Sequence, residues 1–382
     1  MPYLMTIFLL LLAPALHAQD NYLYIGSYTT LVDGTPTGSE GIYIYKFNSQ
    51  TGKLDSLGTT GGTVPNPSFL AVSPNGKYLY AATNSRAPGN GTVSSYYIID
   101  VSGKFALINT QPSGGDNPLY VEVSPDGKNL SVANYGGSSW AVFPLDVAGA
   151  IGKRYMYSFN EGKGTHPTRQ DKPHPHAAVF SPKDNWLIVS DFGLDELEVY
   201  QLLPQPTVLR HTIDTTNGIN PGNGPRHITF HPNGKFVYVV EELSGTVATF
   251  YFNYDKLTFL DRVPTHTVEN PGPFESADIH LSPDGKFLYA SNRGQENNLA
   301  IFSVDGENGS LTLVGYQSTL GKTPRNFAID PSGNFLLVGN QSTGNVVVFK
   351  RDKTTGLLTD TGSRINVPHV SCLKFLSYEQ FK

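Results

Sequence analysis

A single cysteine, Cys372, in 382 residues excludes any intrachain disulfide, and its distance from the N-terminus leaves no lipoprotein attachment site. The fold must therefore hold by packing alone. Charge is also scarce: only 15% of residues are charged, and 27 basic against 32 acidic residues give a net charge of −5. That balance argues against nucleic acid as a partner. No Walker or dinucleotide glycine loop precedes a helix, no Cys/His cluster has zinc spacing, and no cofactor is implied. What the chain has instead is apolar and aromatic content, 39% and 12%, enough to bury a large core.

A long apolar run occurs only at the N-terminus, in "MPYLMTIFLLLLAPALHA", residues 1–18. It is too short to span a membrane comfortably as a helix and is followed by small residues and the polar pair Gln19-Asp20. This pattern predicts a signal peptide, export to a periplasm, a mature chain starting at Gln19 and no stable membrane insertion. Its first residues lack Lys and Arg, so an N-terminal anchor is the alternative.

The remaining chain repeats itself. "NPSFLAVSPNGKYLYAATN" recurs as "NPLYVEVSPDGKNLSVANY", "HPHAAVFSPKDNWLIVSDF", "GPRHITFHPNGKFVYVVEE", "ESADIHLSPDGKFLYASNR" and "TPRNFAIDPSGNFLLVGNQ". Their turn residues Ser73, Ser124, Ser181, His231, Ser282 and Asp330 are spaced by 51, 57, 50, 51 and 48 residues. A seventh copy is split: "HVSCLKFLS" near the C-terminus matches the first strand, while "NYLYIGSYTT" and "GIYIYKFNSQTGKL" match the second and third. Radial repeats of about 50 residues with four short strands describe a β-propeller, and a blade closed by both ends of the chain protects sheet edges. The sequence therefore predicts an all-β, seven-bladed propeller spanning residues 19–382 as one domain. The loops 29–40 and 155–173 are expected to run over its surface.

Period-2 alternation and the S-P-[DN]-G hairpin turn dictate that the start of each first strand and the end of each second strand share one face, around the mouth of the central channel. The turn end barely changes between copies, whereas the mouth end is polar and different in each. First-strand starts carry Asn66, Asn117, His174, His176, Arg226, His227, Ser276, Asp278 and Arg325; second-strand ends carry Tyr28, Asn84, Asn134, Asp191, Glu242, Asn292, Arg293, Asn340 and Gln341. A His beside a Pro is more often a loop-packing residue, and a lone Arg often pairs with a neighbouring carboxylate. Convergence of several such residues on one rim points to a ligand pocket.

The motifs "KPHPHAAVFSP", "GPRHITFHPNGKFVYVVEEL", "ADIHLSPDGKFLYASNRG" and "TPRNFAIDPSGNFLLVGNQ" together resemble the seven-bladed lactonase family, which includes bacterial 6-phosphogluconolactonases and fungal carboxy-muconate lactonizing enzymes. The resemblance covers essentially all of the chain after the leader. It implies catalytic roles for His176 (or His174), Arg226, Glu242 and Arg293, matching the H-x-H, G-P-R-H, E-L and N-R-G motifs. The family commonly has Asn before that Glu, whereas this chain has Glu241. His174, His227, Arg325, Asn134, Asp191 and Asn292 are the surrounding substrate-binding candidates.

Opening a lactone needs a base to activate water and cations to stabilise the oxyanion. Arginines suit an anionic sugar lactone or related acid, and either Glu242 or His176 serves as the base. Asp191, Asp195, Asn134 and Glu242 could instead hold a divalent ion, as in smaller metal-dependent sugar-lactonase propellers, but two nearby arginines oppose that. Sugar-lactone hydrolysis of the 6-phosphogluconolactonase kind is the leading expectation. The alternatives are a non-catalytic propeller that binds a carbohydrate or protein at the same mouth, and a muconate-type lactonizing enzyme. Export would separate the protein from cytoplasmic phosphorylated gluconolactone, which leaves another sugar lactone as a candidate substrate. The sequence does not specify an oligomeric state.

Overall fold

A computed structural model describes residues 20–377 apart from 87–88, 100–101, 160, 184–185, 204–208, 213–217, 255 and 268. The leader proposed for residues 1–18 lies outside the described residues. Twenty-eight strands form seven four-stranded antiparallel sheets, with no helix among the described residues. Blades 1 to 6 begin with the innermost strands Phe69–Val72, Pro118–Val123, Pro175–Phe180, Pro225–Phe230, Ser276–Leu281 and Pro324–Ile329. Blade 7 takes its innermost strand, Val370–Ser377, from the C-terminus and its other three, Asp20–Ser27, Ile42–Asn48 and Leu54–Thr59, from the N-terminal end. The ring is thus closed by hydrogen bonding between the two ends of the chain, as the split seventh repeat predicts.

Burial falls from axis to rim for a geometric reason: inner strands are covered on both faces by neighbouring blades, while outermost strands have one face in water. The second strand of blade 4, Phe236–Glu241, is buried at every position, whereas the outermost strand of blade 6, Leu358–Asn366, is mostly exposed. The core therefore consists of apolar layers between adjacent blades. Phe236, Tyr238 and Val240 of blade 4 pack with Ile279, Leu288 and Ala290 of blade 5. Leu23, Ile25 and Tyr43 pack with Leu337, Val346 and Val370 across the closing seam.

The S-P-[DN]-G turns work alike from blade to blade. Ser73 Oγ accepts the Tyr78 amide at 2.9 Å, Ser124 Oγ the Asn129 amide at 2.9 Å and Ser282 Oγ the Phe287 amide at 3.0 Å. In blade 6 the carboxylate of Asp330 replaces the hydroxyl and accepts the Phe335 amide at 2.7 Å. Gly285 closes its turn at φ 70°, a conformation that side chains with Cβ resist.

At the other end of the first strands a second device recurs. Register shifts lie between Pro118 and Tyr120, Pro175 and Ala177, Pro225 and Ile228, Ser276 and Ile279, and Pro324 and Asn326. Each is a β-bulge, which sets one extra residue on the innermost strand against its partner. Leu119, His176, Arg226 and Arg325 all occupy these bulges, and all four line the central cavity.

Candidate active site

The bulged residues surround a cavity of about 400 Å³ at the channel mouth, a volume suited to a small metabolite. Tyr28, Tyr135, Glu242 and Arg293 join them. Each is the residue immediately after a second strand, since those strands end at Ser27, Asn134, Glu241 and Asn292.

Glu242 organises one side. Its Oε1 meets Arg169 Nη2 at 2.6 Å, and its Oε2 lies 2.9 Å from both Arg226 Nε and Arg293 Nη2. The Arg226 Nε–H is poorly aligned for a hydrogen bond to that oxygen, so this contact is an ion pair by proximity. Burial alone would raise the Glu242 carboxyl, but Arg293, Arg226 and Arg169 overcome it and hold the group at about 2. Burial also lowers Arg226, to about 9, so it stays cationic at neutral pH.

Arg226 is held from several directions. Its Nη1 donates to the carbonyl oxygen of Ala277 and lies 3.3 Å from His227 Nε2. His227 Nδ1 lies 2.7 Å from Asp278 Oδ1, whose other oxygen takes His280 Nε2 at 2.9 Å and Asn326 Nδ2 at 2.6 Å. Burial and the Arg226 charge lower His227 to about 4, so the ring is neutral. A neutral His227 that donates through Nδ1 to Asp278 presents Nε2 as the acceptor that Arg226 needs. The His227–Asp278–His280 chain thus forms a floor under the cavity rather than part of its wall.

His176 lines the cavity beside the arginines, with its Nδ1 buried and unpartnered. Burial first, then Arg226, His227 and Arg325, hold its imidazole well below the ordinary value of 6.5. His174 lies elsewhere: it stacks on Tyr135 at 4.3 Å, with Nδ1 2.8 Å from the Tyr135 carbonyl oxygen and Nε2 3.1 Å from Asp171. The bulge at residue 176 separates the two histidines of the H-P-H motif, one into the cavity and one behind Tyr135.

The structure brings together His176, Arg226, Glu242, Arg293 and Arg325. It places Asn134, Asp191 and Asn292 outside the cavity, together with His174 and His227. These second-strand ends turn between blades and hold loops. Asp191 Oδ1 accepts the amides of His174, Gly193 and Leu194. Asn134 Nδ2 donates to the Ser113 carbonyl and to Ser139 Oγ, both at 3.3 Å. Asp195 accepts from Gly222 and Gly224. Glu241 occupies the equivalent position in blade 4 and faces Arg262, at 2.6 Å and 2.9 Å, and Asn223, at 2.9 Å, so its charge is neutralised away from the cavity.

Asn292 shows what such a position contributes. Its amide donates to the Thr265 carbonyl oxygen at 2.6 Å and Asn298 Oδ1 at 2.9 Å, and its oxygen accepts from Thr265 and Ser276 hydroxyls at 2.8 and 2.7 Å. Asn292→Ala is therefore expected to destabilise the fold by about 1–3 kcal/mol, the cost of orphaning buried partners, with catalytic turnover per folded molecule retained. Chemical denaturation alongside an activity assay checks this. Lost turnover at unchanged stability would instead make Asn292 a substrate contact.

Arg169 was absent from the sequence-based candidates. The expected loop 155–173 in fact begins with the outermost strand of blade 2, Met156–Phe159, which pairs with Ser139–Pro144; Arg169 lies beyond it, in the connection to blade 3 and outside the repeated strands, so comparing repeats could not expose it. Tyr135 and Arg86, which also line the cavity, were missed too.

A model of a seven-bladed β-propeller lactonase family matches residues 22–375. The chain is 39% identical over 359 residues to a 6-phosphogluconolactonase of Formosa agariphila, covering 93% of this chain and 99% of that one. It is 36% identical over 358 residues to a 6-phosphogluconolactonase of Bacillus subtilis, covering 92% and 97%. Among solved structures, the periplasmic gluconolactonase of Pseudomonas aeruginosa superposes with a TM-score of 0.84 at 31% identity, covering 94% of this chain and 99% of that one.

Proposed function

The chain belongs to the seven-bladed β-propeller lactonase family, and from that premise we propose that it hydrolyses a sugar lactone of the 6-phosphogluconolactone kind in the channel-mouth cavity. The observation that carries the reading is one carboxylate fixing three arginines beside a neutral imidazole whose Nδ1 has no partner. Glu242, gripped by Arg169, Arg226 and Arg293 and held at about 2, is a poor proton acceptor. Its role is to position the guanidinium groups. His176 is then the base.

In the proposed reaction a water attacks the lactone carbonyl carbon and gives its proton to His176. The carbonyl oxygen becomes an oxyanion facing Arg226 and Arg293, and Arg226 Nη2 has no protein acceptor among the described residues to compete for it. When the carbon–ring-oxygen bond breaks, the electron pair leaves on that oxygen, which takes the proton back from His176. The product is the open-chain acid. An imidazolium beside arginines is costly, but a substrate that carries its own negative charge offsets that cost on binding.

We extend the proposal to location: residues 1–18 act as a leader, and the remaining chain works as one exported domain. The leader pattern and a periplasmic gluconolactonase among the structural neighbours support this reading.

The pH dependence tests the assignment of the base. Because the His176 pKa lies below 6.5, its neutral form is already fully present at pH 6.5. The value of kcat/KM, corrected for spontaneous opening, should stay flat from about pH 8 down past 6.5 and fall only on further acidification. NMR-monitored hydrolysis of 6-phosphogluconolactone gives the profile. A decline centred at or above pH 6.5 would refute a depressed histidine as base.

A further inference from the structure

Away from the Glu242 cluster, the cavity wall is built by blades 6, 7 and 1 and carries a different kind of charge. Arg325 occupies the bulge of blade 6, Tyr28 follows the second strand of blade 7, and Arg86 follows the second strand of blade 1. The Arg86 guanidinium lies 3.8 Å from the Tyr28 ring centroid and that of Arg325 lies 5.8 Å from the same centroid. Two cations therefore lie against one aromatic ring.

The charges lining the cavity do not balance. Arg86, Arg169, Arg226, Arg293 and Arg325 face only Glu242 and Asp116. Glu242 is already shared by three of the arginines. Asp116 Oδ1 accepts the Gly89 amide at 2.7 Å, and among the described residues neither Arg86 nor Arg325 has a carboxylate within ion-pair distance. Arg86 makes one hydrogen bond, to the Thr30 carbonyl oxygen at 2.8 Å, and Arg325 makes none to the described residues. Burial lowers the Arg86 pKa; Tyr28 opposes that shift, and the like charge of Arg325 adds to it.

A purely structural role accounts for part of this. Arg86 ties the loop 29–40 to blade 1 through Thr30, but that needs one donor and leaves its charge unmatched. It does not explain a second unpaired guanidinium beside the first. Keeping two like charges together on a partly buried wall is unfavourable, and the Tyr28 face recovers only a fraction of the cost. An anion between them would accept several charge-assisted hydrogen bonds and remove the repulsion.

We propose that Arg86 and Arg325, both set against Tyr28, form an anion subsite that binds the acidic tail of the lactone, a phosphate or carboxylate remote from the carbonyl, and so select acidic over neutral sugar lactones. The inference rests on the lactonase reading. It assigns the two ends of the substrate to different arcs of the ring: the carbonyl to Arg226 and Arg293, the tail to Arg86 and Arg325. The bound tail also brings the negative charge that His176 needs to accept a proton.

The test measures kcat/KM for neutral glucono-1,5-lactone, its 6-phosphate and a glucarolactone bearing a carboxylate in place of the phosphate. The wild type should prefer an acidic lactone, and Arg86→Gln and Arg325→Gln should each cut the acidic-to-neutral ratio by roughly ten- to a hundredfold. Whichever acidic lactone shows the larger loss identifies the tail. A wild type without preference, or a ratio unchanged in both variants, overturns the subsite. Arg325→Gln guards against a loosened loop in Arg86→Gln, because Arg325 holds no structural hydrogen bond. Calorimetric binding of 6-phosphogluconate separates the two readings. If the wild type opens no lactone, the proposed function fails, and the subsite stands only if the acid binds and both variants weaken it; equal affinities, or no binding, refute it.

Discussion

Replacing His176 by asparagine is expected to lower kcat/KM for lactone opening by about 10²- to 10⁴-fold, the usual contribution of a positioned general base. The ring is buried, its Nδ1 has no partner, and its contacts are edge-on to Tyr135 and His227 at 5.3 and 5.2 Å. No hydrogen-bond network is lost with it, so thermal stability should change little. The fall should appear mainly in kcat, since the arginines that grip substrate are untouched. A variant within a factor of a few of wild type would return the role of base to Glu242, despite its three arginine partners.

Deleting residues 370–382 is expected to abolish cooperative unfolding altogether. The strand Val370–Ser377 is the innermost of blade 7 and pairs with Asp20–Ser27 from Asn21 to Ser27. Val370, Leu373 and Leu376 are each at most 3% exposed, and burying such side chains contributes about 1.5–3 kcal/mol apiece. Three of them alone approach the net stability of a typical domain, about 5–15 kcal/mol. Removing this strand would also leave the inner edge of the strand Asp20–Ser27 unpaired. Circular dichroism and calorimetry would show the loss, and a truncated chain that melts like the full one would contradict closure of the ring by the two ends.

The architecture was legible in the sequence because the repeat is physical: a proline-containing turn, a period-2 strand on each side and a constant spacing. The site was legible only in part, and the misses have identifiable causes. Alternation predicts Asn134, Asp191 and Asn292 at the mouth, but it does not survive the end of a strand, and the side chains that turn toward the mouth belong to the next positions, among them Tyr135 and Arg293. The same one-residue offset explains why Glu242, and not Glu241, meets Arg226. The β-bulges do not show in the period-2 pattern, although four of the five begin at a proline, and they decide that His176 rather than His174 reaches the cavity. Arg169 and Arg86 sit in loops peculiar to their blades, where comparison between repeats is blind.

The central claim is that this cavity hydrolyses a sugar lactone, and NMR-monitored opening of 6-phosphogluconolactone in the presence of wild-type protein or His176→Asn tests it most directly. The account predicts that the wild type opens the lactone far faster than buffer alone, while the variant falls back toward the spontaneous rate. Opening at the spontaneous rate with the folded wild-type protein present would contradict it.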